Sequence, residues 1–510
     1  MADYDLAIVG GGINGCGIAR DAAGRGLSVL LVEERDLGGA TSSASTKLIH
    51  GGLRYLGHYD FGLVRKALAE RERLLRLAPH LVRPMRFILP HVGGGRPAWM
   101  LRAGFWLYDH LGGRTVLPKT RVLDLADDPA GVPLKPGFRA GFEYSDCVTD
   151  DSRLVIVNAV GAREKGAAIR PHTRLVAARR EREVWQLVLQ AAGRRESVKA
   201  RALVNAAGPW AARVDETIIR IPSRAKIRLA KGSHIVVPRL HAHERAYLLP
   251  GHDGRLVFAI PYQDRYTLIG TTDTEVSGDP GEVSASADEI LYLCAAAAAY
   301  FRAPVEPSQL VWSFAGVRPL VDDGSGDVEE LTRDFTIEVD GRYGEPPLVS
   351  VLGGKLTTYR RLAEAVLAKL KHRLIMQRPW TATEPLPGGD LGPGSVEGLI
   401  AEIAARHAFL PIALVRRLAF SYGTRAWRIV AATKEIGDLG PKIVGDLHRV
   451  ELDYLRQEEW ARTPEDVLWR RTKLGLDASP AEISALAAAF AAAPSAQTAA
   501  ECSDEPSRRH

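Results

Sequence analysis

Cysteine is scarce and scattered. The four in the chain, Cys16, Cys147, Cys294 and Cys502, share no CxxC spacing, so they mark neither a disulfide framework nor a zinc site. That usage fits a reducing cytosol. No run reaches the roughly 18 to 20 apolar residues that crossing a bilayer requires. The N-terminus has no basic segment followed by an apolar one, and a strand pattern begins by residue 4, which argues against a signal peptide. There is no Lys/Arg tract of the kind that forms a nucleic-acid arm, and no internal repeat. The expectation is a cytoplasmic chain, free or bound to a membrane face, with no nucleic-acid partner and no metal.

What is present is globular in character. The chain has 510 residues, 46% of them hydrophobic and 25% charged, enough for two or three units around large cores. Its 67 Lys+Arg against 61 Asp+Glu leave +6, a mild excess that favours anionic substrates or an anionic membrane surface.

Residues 5 to 34, DLAIVGGGINGCGIARDAAGRGLSVLLVEE, read as strand, glycine turn, helix and strand. The apolar runs at Leu6 to Val9 and Val29 to Val32 are those of strands covered on both faces. Residues 61 to 77 carry apolar residues at helical spacing with charges between them. After residue 115 short strand patterns dominate. Helix and strand patterns therefore segregate, and the expected fold is mixed α/β and α+β: a Rossmann-like binding domain interleaved with an antiparallel-sheet domain. The binding parts are placed at about 1–80, 150–225 and 340–375, and the second domain at about 81–149 and 226–339, together residues 1–375. Residues 376–392, rich in Pro, Gly and Thr, read as a linker. Residues 393–493 read as an all-helical domain with a start signal at Thr463-Pro464-Glu465-Asp466, and 494–510 as a disordered tail.

Gly10, Gly12 and Gly15 form G-x-G-x-x-G between strand and helix. The first glycine permits the turn, the second lets backbone approach a pyrophosphate, and the third lets helix and strand pack closely. Amides at the helix start then face phosphate, and Glu33, at the end of the second strand, is placed to accept hydrogen bonds from a ribose. NAD and FAD share this fingerprint. The segment GGATSSASTKLIHGGLRYL (38 to 56) favours FAD: its hydroxyl residues suit the second phosphate and ribityl chain, and its paired glycines let the chain pass close to a flat ring. Two further glycine turns favour it as well, LVNAAGPWA (203 to 211) with Gly208 and VLGGKLTTYRRLAEAV (351 to 366) with Gly353-Gly354. The second of these leads into a helix whose N-terminus can stabilise negative charge on a reduced flavin.

In this order, GGGINGCGIARDAAGRG, TSSASTKLIHGGLRYL, KGSHIVVP, IGTTDT, FAGVRPL and GGKLTTYR resemble the FAD-dependent sn-glycerol-3-phosphate dehydrogenases of the aerobic respiratory type, over nearly the whole chain. The resemblance implies oxidation of glycerol 3-phosphate to dihydroxyacetone phosphate by hydride transfer to FAD, with a membrane quinone as acceptor. It also implies peripheral attachment to the inner face of the cell membrane and a homodimer. FAD contacts are then expected at Gly10, Gly12, Asn14, Gly15, Glu33, Thr41, Ser42, Ser43, Ser45, Lys47, His50, Gly51, Val176, Gly208, Trp210, Gly354, Leu356 and Thr357. Substrate contacts are expected at Arg54, Tyr55, Thr272, Arg318, Arg333 and Lys355, where arginine forks and a lysine point charge suit a phosphate. The catalytic set is His50, His234, Arg318 and Lys355, with either histidine a candidate for the hydroxyl proton. In KLIHGGLRYL (47 to 56), Lys47 and His50 are expected to face the cofactor, and Arg54 and Tyr55 the phosphate.

Two alternatives stay open on the residues alone. One is a soluble FAD oxidase, for glycerol 3-phosphate or an amino acid, that passes electrons to oxygen; the other is a redox-silent flavin-binding module. The stretch 97 to 114, PAWMLRAGFWLYDHLGGR, reads as a helix that either lies in a membrane interface or packs internally, and the resemblance tips it toward the membrane.

Overall fold

The computed structural model describes residues 2–53, 56, 60–91, 97–251, 253–322, 324, 331, 333–392 and 394–491. The chain forms two compact units, Met1–Gly389 and Asp390–His510.

The first unit is built on two sheets. In the first, β1 (Tyr4–Val9) pairs in parallel with β2 (Val29–Val32) and with Arg194–Asn205. Leu348–Gly353 continues the parallel run on one side and Ala168–Arg170 on the other. Leu6, Ile8, Leu30 and Leu31 are fully buried, as strands covered on both faces require, each contributing about 1.5–3 kcal/mol by leaving water. Helix α1 (Ile13–Gly24) crosses from β1 to β2. Gly10 has φ +106, and a Cβ there would lie 2.4 Å from the Ala206 carbonyl oxygen, so only glycine fits the turn. A Cβ on Gly15 would lie 1.8 Å from the Gly10 oxygen, the close approach of helix and strand that the fingerprint predicts.

The second sheet runs Thr274–Glu275, Ile227–Pro238, Tyr266–Gly270, Leu256–Tyr262, Ala246–Pro250, Val82–Pro90, Ala140–Thr149 and Leu48–Ile49, with Trp312–Val321 against Ile227–Pro238 and Arg121–Asp124 against Ala140–Thr149. All these pairs are antiparallel except Val82–Pro90 with Ala246–Pro250. This is the mixed α/β fold with an antiparallel second sheet that the sequence pattern implies.

Helix α2 spans Phe61–Leu77, as the periodicity predicts; Asp60 caps it by accepting from the Leu63 amide. Its buried face includes Leu63, Val64, Ala67, Leu68 and Leu74, together with Arg71 and Glu70. Helix α3 (Ala98–Leu111) turns Phe105 and Tyr108 inward and Trp99, Met100 and Trp106 outward, the two tryptophans 68% and 64% exposed. Helix α4 (Asp151–Glu164) is buried along nearly all its length.

Residues 376–389, expected to link the units, are instead strapped to the first. Trp380 covers Arg20 and donates its indole N–H to the Asp21 carbonyl, and Gly24 is glycine because a Cβ would enter that indole ring at 2.1 Å. Leu386 donates to the Leu77 carbonyl and is buried.

The second unit has its own apolar core, including Val415, Leu418, Leu452 and Leu455, from helices Val396–Arg406, Ile412–Tyr422, Ala426–Val430, Arg449–Glu458 and Pro480–Ala491. It differs from the all-helical expectation by a short hairpin, Lys442–Val444 with Leu447–His448, turned at Gly445 with φ +54. The Thr463 start signal is realised: Thr463 Oγ1 accepts from the Asp466 amide, and Asp466 accepts from the Thr463 amide. Residues 494–510 lie outside the described residues.

Candidate active site

A cleft runs from the glycine turn to the second sheet. Two cavities of about 270 and 230 Å³ share Gly12, Thr41, Ser42, Ala206, Gly208 and Pro209 as walls and so form one path. The first holds the βαβ features: Gly10 and Gly12, the end of β2 at Glu33, and Trp210. Glu33 accepts from the amides of Gly11 (2.6 Å) and Arg35 (2.8 Å), which fixes its carboxylate, while burial raises its pKa. Helix α1 starts at Gly12, which offers no capping side chain; Ile13 N–H donates to Ser42 Oγ. Trp210 is held at the wall by its indole N–H, which donates to Asp279.

The second cavity is lined by Asn14, Thr41, Ser42, Ser45, Thr46, His50, Gly208, His234, Thr271, Arg318, Arg333, Gly354, Lys355, Leu356 and Thr357. Asn14 donates to the Gly353 carbonyl, while its Oδ1 is buried with no partner among the described residues. That acceptor, the glycine-walled floor and the start of a helix at Leu356–Thr358 fit a flavin entering from the dinucleotide cleft.

Two histidines reach this cavity from different elements. His234, on Ile227–Pro238, is buried, stacks on Phe314 and pairs through Nε2 with Thr46 Oγ1 at 2.9 Å. Burial holds its pKa well below the usual value, and Lys47 and Arg318 add to the effect. His50 follows Leu48–Ile49, its amide donating to Thr357 Oγ1. Its pKa is lowered by burial, with Lys355 and Arg71 opposing Asp146. Both rings are therefore neutral near pH 7 and able to accept a proton. Arg318 and Arg333 come from separate segments and meet at Asp273: Nη2 of each lies 2.7 and 3.1 Å from its two carboxylate oxygens.

Several residues expected at the site stand elsewhere. Lys47 does not line the cleft. It is buried, with Nζ 2.8 and 2.9 Å from the Asp151 oxygens and 3.1 Å from the Ser43 carbonyl, because a lysine in this interior needs a carboxylate. Asp151 also accepts from Ser45 N–H and Oγ, so the pair pins the hydroxyl loop from behind. Ser43 donates to Ala40 and lies outside both linings, and Gly15 serves packing alone. Gly51 is closed off: a Cβ would meet Leu68 at 2.5 Å and Tyr108 at 2.7 Å, and its amide donates to Tyr108 Oη at 2.9 Å. Tyr108 in turn donates to Asp146, which also accepts from Arg71. Val176 lines a separate groove, whereas Thr173 to Leu175 line the cleft. Thr272 is buried, accepting from Ser233 N–H and donating to Glu289; its neighbour Thr271 faces the cavity. Arg54 and Tyr55 lie outside the described residues. Thr46, Asp151 and Asp273 were not picked out by sequence, although Asp273 stands inside the quoted IGTTDT; only the arginines it meets reveal its part.

A glycine-turn dinucleotide cleft opening onto a cavity with two neutral histidines and three cations defines a flavin-dependent oxidoreductase. Comparison with known proteins agrees. The chain belongs to the FAD dependent oxidoreductase family, whose profile matches residues 5–360, and residues 379–496 match the C-terminal domain of alpha-glycerophosphate oxidase. It is 54% identical over 481 residues to a glycerol-3-phosphate dehydrogenase of Pseudomonas aeruginosa, covering 94% of this chain and 93% of the relative. It is 47% identical to the aerobic glycerol-3-phosphate dehydrogenase of Escherichia coli (93% and 95% covered) and to a D-erythritol 1-phosphate dehydrogenase of Brucella abortus (94% and 96%). Among solved structures, a glycerol-3-phosphate dehydrogenase from Bacillus halodurans complexed with FAD superposes with a TM-score of 0.74 at 27% identity, covering 97% of this chain and 92% of that one. The protein is thus an FAD-dependent enzyme.

Proposed function

We propose that the enzyme oxidises sn-glycerol 3-phosphate to dihydroxyacetone phosphate. The observation that carries this reading is the 230 Å³ cavity in which Arg318, Arg333 and Lys355 stand with His50 and His234. The guanidinium forks and the ammonium bind the phosphate dianion. That anchor holds the three-carbon chain in place, so that its secondary hydroxyl falls within reach of a histidine. A neutral His50 or His234 accepts the hydroxyl proton as the carbonyl forms, and the nearby cations favour the alkoxide. The FAD, when bound, supplies the hydride acceptor. Asn14, Gly354, Leu356 and Thr357 would hold its ring, Ser42 and the α1 amides its pyrophosphate, and Glu33 its ribose.

The decisive measurement is the flavin spectrum under anaerobic conditions. Loss of the yellow absorbance on adding glycerol 3-phosphate is expected; an unchanged spectrum overturns the reading. The Brucella abortus relative makes a four-carbon polyol phosphate the second reading, and D-erythritol 1-phosphate added in parallel separates the two by kcat/KM.

Electrons pass on, in this proposal, to a membrane quinone, from a homodimer attached peripherally to the inner face of the cell membrane. The exposed Trp99, Met100 and Trp106 beside Arg102 on α3 support that attachment, and among the described residues no helix is long and apolar enough to cross a membrane. Stimulation by a soluble quinone without stoichiometric peroxide is expected; peroxide production indifferent to quinone would point to an oxidase. Light scattering tests the dimer.

A further inference from the structure

We infer that Asp273 is a positioning residue that sets both the geometry and the charge of the phosphate site. This rests on the reading of the cavity as the seat of a phosphorylated alcohol. Asp273 follows the strand Tyr266–Gly270 of the second sheet, whereas Arg333 stands two residues before Phe335–Asp340 of the first, and Arg318 stands on Trp312–Val321. One carboxylate therefore ties together two guanidinium groups carried by segments of different sheets. Its side chain is 8% exposed and is not among the residues lining the cavity, while both arginines are. The same backbone segment secures Arg318 a second time, since Nη2 also donates to the Thr272 carbonyl at 3.0 Å. Arg333 is fixed on its other side by Nη1 donating to the Leu331 carbonyl at 3.1 Å.

A long arginine side chain loses much rotamer freedom when it binds a ligand. Holding two of them through one buried carboxylate removes that cost before substrate arrives. The charge is set as well. Among the described residues Arg318, Arg333 and Lys355 carry three positive charges and Asp273 one negative, a balance of +2 against a phosphate monoester of about −1.5 to −2 at pH 7. A net positive site of this kind prefers a dianion to a singly charged carboxylate of the same length.

Two roles for Asp273 predict opposite results. If it only counterbalances charge, Asp273→Asn leaves the site more positive, and inorganic phosphate should inhibit more strongly. If it positions the arginines, the same variant should weaken both ligands in spite of the added positive charge. We expect KM for glycerol 3-phosphate and the inhibition constant of inorganic phosphate both to rise about tenfold, the lower end for a lost charge-assisted hydrogen bond, with kcat changed far less. The experiment uses the FAD-loaded enzyme, whose flavin spectrum reports an intact cleft. An unchanged KM, or tighter phosphate inhibition, overturns the inference. Should Asp273→Asn fail to fold, Asp273→Glu keeps the charge but adds a methylene that shifts the carboxylate off one arginine. A several-fold rise in KM is expected there, and an unchanged one overturns the inference. If the parent enzyme itself does not respond to glycerol 3-phosphate, the proposed function fails, separately from the part played by Asp273.

Discussion

Removing the charge of Lys47 tests whether the cofactor loop is held from behind. The Lys47–Asp151 pair is buried on both sides, at 5% and 0% side-chain exposure. Lys47→Met would leave the Asp151 carboxylate in the interior with its cation gone. Breaking a buried pair in this way costs about 3–5 kcal/mol. Asp151 would keep donors from Ser45 N–H (3.1 Å), Ser45 Oγ (2.7 Å) and Ser152 N–H (2.9 Å), which places the cost near the lower end, at about 3 kcal/mol. Asp151→Asn should cost a similar amount, because it leaves a buried ammonium. The double variant Lys47→Met/Asp151→Asn buries no net charge and should cost about 2 kcal/mol less than the sum of the two. Urea unfolding of the apoprotein followed by circular dichroism measures all three without cofactor binding. The single variants should also release FAD faster, since Asp151 anchors Ser45. Costs that add within about 0.5 kcal/mol would refute the argument, because the two residues would then not act as a unit.

Further outcomes follow from the same structure. Gly232→Ala would place a Cβ 2.4 Å from Arg318 Nη2 and 2.6 Å from Thr271 Oγ1; the arginine tip must leave Asp273 and the Thr272 carbonyl, so KM should rise several-fold and the unfolding midpoint should fall as well. Thr272→Val should cost about 1–3 kcal/mol of stability, because it orphans the buried Ser233 amide and takes one donor from Glu289, whereas Thr271→Val should act on KM, and denaturant titrations beside steady-state kinetics separate the two. His80 is fully buried, neither ring nitrogen has a partner among the described residues, and burial beside Arg153 lowers its pKa to about 3. Below pH about 6.5 the unfolded chain takes up a proton there that the native chain refuses, so stability falls as pH drops toward 3, by about 1.4 kcal/mol per pH unit. His80→Leu should flatten the pH dependence of the urea midpoint by that one proton, and an unaltered slope would contradict it. Trp99→Ser with Trp106→Ser should abolish sedimentation with anionic vesicles while leaving activity in solution unchanged; full binding by the double variant would remove α3 from the membrane proposal.

The parts of the fold legible in sequence are those whose causes are local. The βαβ unit announces itself because a tight turn, a close backbone approach and a helix start all need glycine within a few residues. Helix α2 was readable to its ends because a 3.6-residue stripe and the Asp60 cap lie in one segment. Lys47 went the other way: the sequence shows a lysine beside a cofactor motif, but its partner stands 104 residues later at the start of α4. Thr271 and Thr272 illustrate a finer limit. They follow a strand end, where alternation no longer tells which hydroxyl faces a cavity and which a helix. The packed stretch 376–389 has the composition of a linker, and it is residues distant in the chain, Arg20, Asp21 and Lys165, that give Trp380 its place.

Helix α3 serves two masters within two residues. Trp106 stands in solvent, and Tyr108 is the strut whose hydroxyl accepts from the amide of Gly51, one residue from His50, and donates to Asp146. One helix thus presents a solvent-facing ring and, on its other face, a support for the reacting site. The outer face and the backbone next to His50 are joined through one hydroxyl, that of Tyr108. Changes on the two faces should therefore read out separately: the tryptophans on the surface, and Tyr108→Phe on the backbone beside His50.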